Sequence, residues 1–360
     1  MRTALHGIVA VGAFTIVGCT SERTPAPPKT PPEAVSVKIS DGTVTGLPLG
    51  LDEYLAKIPA DNPLTEAKVT LGKHLYFDTR LSKDGTVSCA TCHAPEKGWS
   101  DGRKSSKGIG GQVGDKNAPT VINRVFSEAQ FWDGRAASLE EQALGPVQNP
   151  IEMGHTLEGM LSSLSLVPGY KPLFSAAFGD EKITGERVGQ AIASFERTIV
   201  SGNSPFDRYE AGDKTAMSES AIRGLAIFKD NQRGRCSICH AGSNLTDEKY
   251  HNVGVGMDQK DWEKSHAGRY AVTKNEKEKG AFKTPTLRQV AESGPYMHDG
   301  SETTLAEVVE LYAKGGNPSP HLDPEMKKLD LTEQDKKDLV EFMKALTGQV
   351  TAVTIPTPVQ

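Results

Sequence analysis

The apolar positions of this chain recur at helical spacing in several segments, and a capping residue precedes most of them. Residues 185–199 place an apolar side chain at every third or fourth position behind Thr184, whose hydroxyl can accept a hydrogen bond from the first turn. This combination predicts an amphipathic helix with one buried face. The same reasoning predicts helices at 138–144 and 156–164, after Ser218 and after Thr332.

Two of the predicted helices lead into copies of the sequence Cys-x-x-Cys-His. The residues of the two copies are Cys89, Cys92 and His93, and Cys236, Cys239 and His240. Two thiols three residues apart can add to the two vinyl groups of one porphyrin, and the adjacent histidine can then bind the iron. A pair of zinc or redox CxxC motifs is the alternative, but neither requires a histidine directly after both motifs. The sequence therefore predicts two covalently attached c-type haems.

The order of elements around each motif predicts the fold. A helix behind Asn62 and Pro63 precedes the first motif, and the helix behind Ser218 precedes the second. A long loop follows the second motif, and the Thr332 helix closes the chain. Helix, motif, loop and closing helix is the layout of a small cytochrome c domain. We therefore predict a mainly α, loop-rich protein of two cytochrome c-like domains, each with one covalent haem.

The N-terminus predicts export. Residues 1–18 contain one charged side chain, Arg2, and an apolar run that is too short to span a membrane, as in a signal peptide. The run ending at Cys19 resembles a bacterial lipobox, which would make Cys19 a lipidated first residue; ordinary cleavage nearby is the alternative. We predict a periplasmic protein whose only attachment to a membrane is a lipid anchor at Cys19.

Composition and domain order complete this description. The formal net charge of −5 offers no basic face for nucleic acid, so nucleic-acid binding is not expected. Proline-rich sequence after Cys19 predicts an extended tether. The predicted segments are a signal peptide at 1–18, the tether at 19–47, an N-terminal haem domain at 48–212, a C-terminal haem domain at 213–349 and a tail at 350–360.

The sixth position of each iron decides between an electron carrier and an enzyme. A methionine well downstream of the motif is usual in small cytochromes, so spacing alone nominates Met297 or His298 for the second haem. For the first haem, spacing nominates no convincing residue.

Several runs of sequence resemble the bacterial di-haem cytochrome c peroxidase family, and the resemblance extends from about residue 50 to 348. The matching runs are Leu71–Ser82, Asn117–Thr120, Phe131–Arg135, Glu152–Gly154 and Pro295–Gly300. That family reduces hydrogen peroxide at its N-terminal haem and passes electrons through the C-terminal one. It includes the methylamine-utilisation (MauG) branch, whose members oxidise residues of a partner protein.

The resemblance implies roles for four further residues. Glu152 would be the distal acid and base of the first haem, and Gln142 would hydrogen-bond in the same pocket. Trp132 would lie between the haems as a relay. Asn117, with backbone oxygens near residues 293–295, matches the family's inter-haem calcium site, and such oxygen ligands suit calcium.

Two departures from the peroxidases concern the iron sites. Ile109 stands where many of those peroxidases have a loop histidine that blocks the first haem, and isoleucine cannot bind iron, so we predict a first haem that is open to peroxide in the fully oxidised state. Tyr312 stands where they have an axial methionine, and the MauG branch has tyrosine there. The resemblance therefore replaces Met297 by Tyr312 as the expected sixth ligand of the second haem.

The predicted function is that of a di-haem oxidoreductase that reacts with hydrogen peroxide and draws electrons from a protein side chain, a small cytochrome or another donor. A conventional cytochrome c peroxidase that detoxifies hydrogen peroxide is the enzymatic alternative. A non-catalytic di-haem electron carrier is the alternative of another class, but it would need both sixth positions filled. Ile109 and Glu152 argue against that.

Overall fold

The computed structural model describes Met1 and residues 36–360, so the predicted signal peptide, Cys19 and most of the predicted tether lie outside the described residues. In the part described, helices joined by long loops dominate, and the strands are two or three residues long. Within residues 36–360 no helix is long and apolar enough to cross a membrane. The mainly α, loop-rich character that the sequence predicts is confirmed.

The helices occur in two groups, one around each cysteine motif. The first group comprises α1 (Glu66–Phe77), α2 (Cys89–Cys92), α3 (Leu139–Gln148), α4 (Leu157–Ser165), α5 (Tyr170–Phe178) and α6 (Gly185–Glu196). The second comprises α7 (Pro205–Glu210), α8 (Glu219–Lys229), α9 (Trp262–Ser265), α10 (Tyr270–Thr273), α11 (Leu305–Ala313) and α12 (Glu333–Lys344). The strands form antiparallel pairs: β1 (Lys38–Ser40) with β2 (Thr43–Thr45), β3 (Ser201–Gly202) with β6 (Gln349–Val350), and β4 (Tyr250–His251) with β5 (Phe282–Lys283).

Each group has its own apolar core, and each core is built on a close crossing of two helices. A Cβ atom on Gly72 of α1 would lie 1.8 Å from the backbone oxygen of Ala191 in α6. A Cβ atom on Gly224 of α8 would lie 2.0 Å from the backbone oxygen of Asp338 in α12. Only glycine allows the helices to approach this closely. In both halves the glycine lies on the helix that precedes the motif, and it contacts a later helix.

Local capping signals set most helix starts. The side chains of Thr184, Ser218 and Thr332 each accept a hydrogen bond from the backbone N–H three residues later, as predicted. The prediction for α1 was wrong: Thr65, not Asn62, caps it. Asn62 is buried, and its amide donates to Glu140 and to the backbone oxygen of Gln190.

Helix ends agree less well with the apolar pattern. The helix predicted over 185–199 ends at Glu196, since Arg197 forms the C-cap and the chain turns toward β3. Helix α3 continues past residue 144 to Gln148, and helix α5 follows no pattern used in the prediction. The apolar residues after Glu196 remain buried without being helical, which explains the overestimate.

The end of the predicted tether belongs to the folded body, which corrects the boundary at residue 47. β1 and β2 form a hairpin, and Val44 is buried in a third apolar cluster together with Leu64 and Val200. The C-terminal tail also packs: the backbone oxygen of Gln360 accepts from the N–H of Gly169 in the first half. The remaining domain boundaries stay predictions.

Candidate active site

One cavity of about 650 Å³ joins the two cysteine motifs. Its lining includes most of the side chains that the sequence singled out: Cys92, His93, Asn117, Trp132, Gln142, Glu152, Cys236, Cys239, His240, Met297, His298 and Tyr312. The cavity is mainly apolar, and burial raises the pKa of the Cys92 thiol to about 11 and that of Cys236 to about 12. A cavity of this size and character suits a large apolar cofactor with a few polar contacts.

The first motif lies on a single helical turn. Helix α2 spans Cys89–Cys92 behind Ser88, and the N–H of His93 donates to the backbone oxygen of Cys89 at 3.0 Å. The Tyr76 hydroxyl donates to the backbone oxygen of His93 at 2.9 Å and fixes the end of the turn. His93 Nδ1 is buried and has no hydrogen-bond partner among the described residues, and burial lowers the pKa of His93. A neutral imidazole held in this way is suited to binding a metal.

The second motif holds its histidine differently. Residues Cys236–Ile238 form a 3₁₀ turn, and the N–H of His240 donates to the backbone oxygen of Cys236 at 2.9 Å. His240 Nδ1 lies 3.2 Å from the backbone oxygen of Leu245, a contact that needs the proton on Nδ1. Burial lowers the pKa of His240 to about 4, so the ring is neutral. The Nε2 atom then carries a free lone pair that can bind iron. Both motifs thus fit a c-type haem.

Glu152 is a half-buried carboxyl in the cavity. Its Oε1 atom accepts a 2.6 Å hydrogen bond from the Asn149 amide, and Gln142 of α3 lines the same cavity. Burial raises the pKa of Glu152, against the opposing effects of Arg135 and of the Asn149 hydrogen bond. A carboxyl can act as acid and base in turn, and burial favours its protonated form.

The loop at residue 109 packs against the Glu152 segment. The N–H of Ile109 donates to the backbone oxygen of Glu152 at 2.8 Å. A Cβ atom on Gly154 would lie 2.3 Å from Ile109 Cδ1, so the isoleucine side chain fills the space above that glycine. Ile109 packs against the N-terminal apolar core and does not line the cavity.

Trp132 and Asn117 connect the two halves of the cavity. The indole N–H of Trp132 donates to the backbone oxygen of Asn117 at 2.9 Å, and the backbone oxygen of Trp132 accepts from the N–H of Lys283. Asn117 is buried, and its amide donates to the backbone oxygen of Arg103. Ser293 and Pro295, the other expected calcium ligands, line the same cavity.

Tyr312 lies on α11 close to the second motif. Burial raises the pKa of its phenol, and the nearby thiols Cys236 and Cys239 add to that effect. A phenolate in this pocket therefore needs a positive partner. Of the residues nominated by spacing alone, His298 directs Nε2 to Nδ1 of His266 at 2.8 Å, while Met297 lines the cavity.

Three charged residues of the cavity had no sequence signal. Glu196 and Lys283 are buried there, Arg124 is half-buried, and no motif includes these residues. Burial raises the pKa of Glu196 to about 8 and lowers that of Lys283 to about 7. They come from distant parts of the chain, so only the tertiary structure brings them together.

Comparison with known proteins identifies the family of this chain. A profile of the family described as di-haem cytochrome c peroxidase matches residues 66–215. The methylamine utilization protein MauG of Methylophilus methylotrophus is 42% identical over 298 residues, which cover 83% of this chain and 88% of that protein. The MauG protein of Methylorubrum extorquens is 39% identical over 350 residues, covering 97% of this chain and 95% of that protein.

A solved structure extends the agreement to the fold. The crystal structure of a MauG-like protein associated with microbial copper homeostasis matches with a TM-score of 0.76 at 31% identity, covering 84% of this chain and 95% of that one. The similarity therefore spans both halves of the molecule and both cysteine motifs. This chain belongs to the di-haem cytochrome c peroxidase family, and it is an oxidoreductase of the peroxidase type with two c-type haems.

Proposed function

We propose that this enzyme reacts with hydrogen peroxide at the N-terminal haem and takes electrons from a protein or small-molecule reductant by way of the C-terminal haem, as a MauG-like peroxidase. The haems, when bound, supply the iron and the porphyrin that exchange electrons with peroxide and with the reductant. The observation that supports this most is the asymmetry of the cavity. A half-buried carboxyl, Glu152, shares it with the first motif, and a half-buried tyrosine, Tyr312, lies beside the second.

The chain supplies the groups that would hold each haem. Cys89 and Cys92 would form the thioether bonds of one haem and Cys236 and Cys239 those of the other, with His93 and His240 as iron ligands. Two cations, Arg124 and Lys283, line the cavity and would pair with haem carboxylates. Lys283 already pairs with Glu248 at 3.1 Å, and a haem carboxylate would add a second anion beside it.

Glu152 would move the proton of the reaction. Its carboxylate can accept a proton from one oxygen of hydrogen peroxide and return it to the departing oxygen, which leaves as water. The Asn149 amide holds one carboxylate oxygen, and burial favours the protonated form that returns the proton. Gln142, a half-buried amide on α3, would hydrogen-bond to the peroxide.

Tyr312 would be the sixth ligand of the second haem. A phenolate is a hard, anionic donor and stabilises ferric iron, whereas methionine favours the reduced state. Burial raises the pKa of the free Tyr312 phenol. The same low-dielectric surroundings strengthen the attraction between a phenolate and a cation in the pocket. A high-potential cytochrome would reduce a low-potential second haem poorly. We therefore favour another reductant over such a cytochrome.

Trp132 would be the relay between the two haems. Its ring lies in the cavity, its indole N–H is fixed by Asn117, and its backbone is bonded to Lys283 of the second half. A calcium ion would be held by the Asn117 side chain and by the backbone oxygens of Ser293 and Pro295, which suit a hard cation. It would tie the two halves together at the relay.

The location of the protein follows from its sequence. Attachment of c-type haem and the N-terminal apolar run favour a periplasmic protein, and a lipid on Cys19 would anchor it to a membrane. A periplasmic position would bring the enzyme into contact with hydrogen peroxide and with exported redox partners.

The test is peroxide consumption by the fully ferric holoenzyme without prior reduction. We expect rapid consumption with an added small-molecule reductant, because Ile109 does not line the cavity. Glu152→Gln should lower the rate by roughly 10²–10⁴-fold, the usual contribution of a positioned acid and base. Glu158→Gln, an exposed glutamate on α4, is the matched control and should retain the wild-type rate. Consumption that requires prior reduction, or that is unchanged in Glu152→Gln, would contradict the proposal.

A further inference from the structure

We propose that His266, His298 and Asp299 form a binding site for a divalent transition-metal ion such as Zn²⁺, separate from the haems and from the proposed calcium site. One potential ligand atom from each of these residues lies within 4.8 Å of the other two. Both histidines are 4% exposed. The three residues come from two segments of the second half: His266 follows α9, and the other two precede α11.

The two imidazoles are already close to the geometry of shared coordination. His266 Nδ1 and His298 Nε2 lie 2.8 Å apart and hydrogen-bond through a single proton. Two nitrogens bound to one tetrahedral zinc at about 2.0–2.1 Å would be roughly 3.4 Å apart. A metal ion could therefore replace the shared proton after the rings separate by about half an ångström.

The surroundings fix the direction of both rings. The His298 ring stacks on Phe282 with a centroid distance of 3.5 Å and an interplanar angle of 12°. The backbone oxygen of His298 accepts from the N–H of Asn117 at 2.9 Å. His266 packs directly on Gly256, because a Cβ atom on Gly256 would lie 1.9 Å from Nδ1 of His266. Ligands held in place before binding lose little conformational freedom when the metal arrives.

The charge around the pair favours a cation. Asp299, Asp115 and Asp258 lie near enough to His266 to act on it electrostatically, and the cation Lys116 acts in the opposite direction. Lys116 is itself paired with Asp115 at 2.7 Å. The remaining carboxylates, Asp299 and Asp258, thus give the histidine pair a net negative environment.

The donor set indicates which ions would bind. Two imidazole nitrogens and one carboxylate oxygen suit Zn²⁺, Cu²⁺, Ni²⁺ or Co²⁺ and do not suit Ca²⁺ or Mg²⁺, which take oxygen ligands. Three protein ligands leave a position for water or an exchangeable group. The site would link the α9 segment to the segment before α11, next to Asn117 of the inter-haem region.

The experiment measures zinc binding by the untagged, haem-loaded protein. The protein is depleted of free metal on a chelating resin, dialysed against ZnCl₂, and analysed for zinc and iron together. We expect one zinc for every two haem irons, and loss of that zinc in His266→Ala and in His298→Ala. His155→Ala, a histidine outside the cavity, should bind zinc as the wild type does.

Two controls keep the test decisive. His298 lines the haem cavity, so a variant is analysed only if its haem spectrum matches that of the wild type. His266→Gln replaces any variant that loses haem. X-ray absorption at the zinc edge should show two imidazole nitrogens at about 2.0–2.1 Å. The proposal is overturned if the wild type binds no more zinc than His266→Ala, if His155→Ala loses the zinc equally, or if the zinc has only oxygen neighbours.

Discussion

The two cysteine motifs share one attachment chemistry but differ in everything that surrounds it. At the first, His93 ends a helical turn with its Nδ1 unpaired among the described residues, and a half-buried carboxyl, Glu152, lies in the same cavity. At the second, His240 is fixed by the backbone oxygen of Leu245, and Tyr312 lies beside it. The motif determines where a haem is attached, and the side chains of later segments determine what that haem can do.

The comparison extends to the scaffold. In both halves a glycine on the helix before the motif allows close contact with a later helix: Gly72 in one and Gly224 in the other. The supporting helices are therefore alike, whereas the residues that face the cavity differ. Duplication of one scaffold with divergence at the cavity accounts for one haem site suited to peroxide and one suited to electron transfer.

Removing either haem should break this comparison most strongly. Replacing Cys89 and Cys92 with serine should reduce peroxide turnover to background, because the haem beside Glu152 would no longer be attached. Replacing Cys236 and Cys239 with serine should leave peroxide binding but abolish sustained turnover. The measurements are the number of haems per protein chain, the spectral change on peroxide binding and the rate of peroxide consumption. Peroxide binding that survives only in the first variant would mean that the assigned roles are reversed.

A change at Tyr312 should affect the second haem alone. Phenylalanine has no ligand atom, so Tyr312→Phe should abolish the low-spin signal of that haem and leave the first haem unchanged. Tyr296→Phe is the matched control, because Tyr296 lines the same cavity. The measurement is the absorption and EPR spectrum of the ferric protein. A low-spin signal that persists in Tyr312→Phe refutes the assignment.

Breaking a buried ion pair should lower the free energy of unfolding by different amounts in the two halves. Asp207 and Arg288 are both 2% exposed, whereas in the first half Glu140 is 19% exposed beside Arg197. Asp207→Asn should lower the free energy of unfolding by about 3–5 kcal/mol, the cost of leaving a buried charge unpaired. Glu140→Gln leaves Arg197 without its carboxylate partner, but solvent at the 19% exposed Glu140 already screens that pair, so we expect a smaller cost of about 1–3 kcal/mol. Guanidinium denaturation of the holoenzyme tests this order, and an equal or larger loss for Glu140→Gln would contradict it.

The smallest expected effect is a pH dependence of stability from Glu196. Burial raises its pKa to about 8 in the folded state, so the folded protein binds a proton that the unfolded chain releases above its ordinary pKa of 4.5. This contribution to stability is therefore fully present below the ordinary pKa and is lost as the pH rises toward 8. Glu196→Gln should flatten this slope in denaturation curves at pH 5 and pH 8. A slope that is unchanged in the variant would show that another group causes it.

Local signals explain what the sequence could predict. The cysteine motifs and the caps at Thr184, Ser218 and Thr332 depend on residues within one turn of each other, and the structure has these caps as expected. Asn62 resembles a cap, but its amide is engaged by residues far along the chain, and the prediction was wrong there.

Long-range packing explains what the sequence could not predict. The hairpin of β1 and β2 is formed by strands of three residues, too short for an alternating pattern to identify. Arg124, Glu196 and Lys283 enter the cavity from three separate segments, and their altered pKa values arise from burial there. His266 is a further case, since only the fold brings it to His298.

The most direct test of the account is the low-temperature EPR spectrum of the as-purified, fully ferric protein. An open site at His93 beside a site ligated by His240 and Tyr312 predicts one high-spin and one low-spin haem. Two low-spin haems would contradict the account, because an additional ligand would then close the first site and the enzyme would need reductive activation.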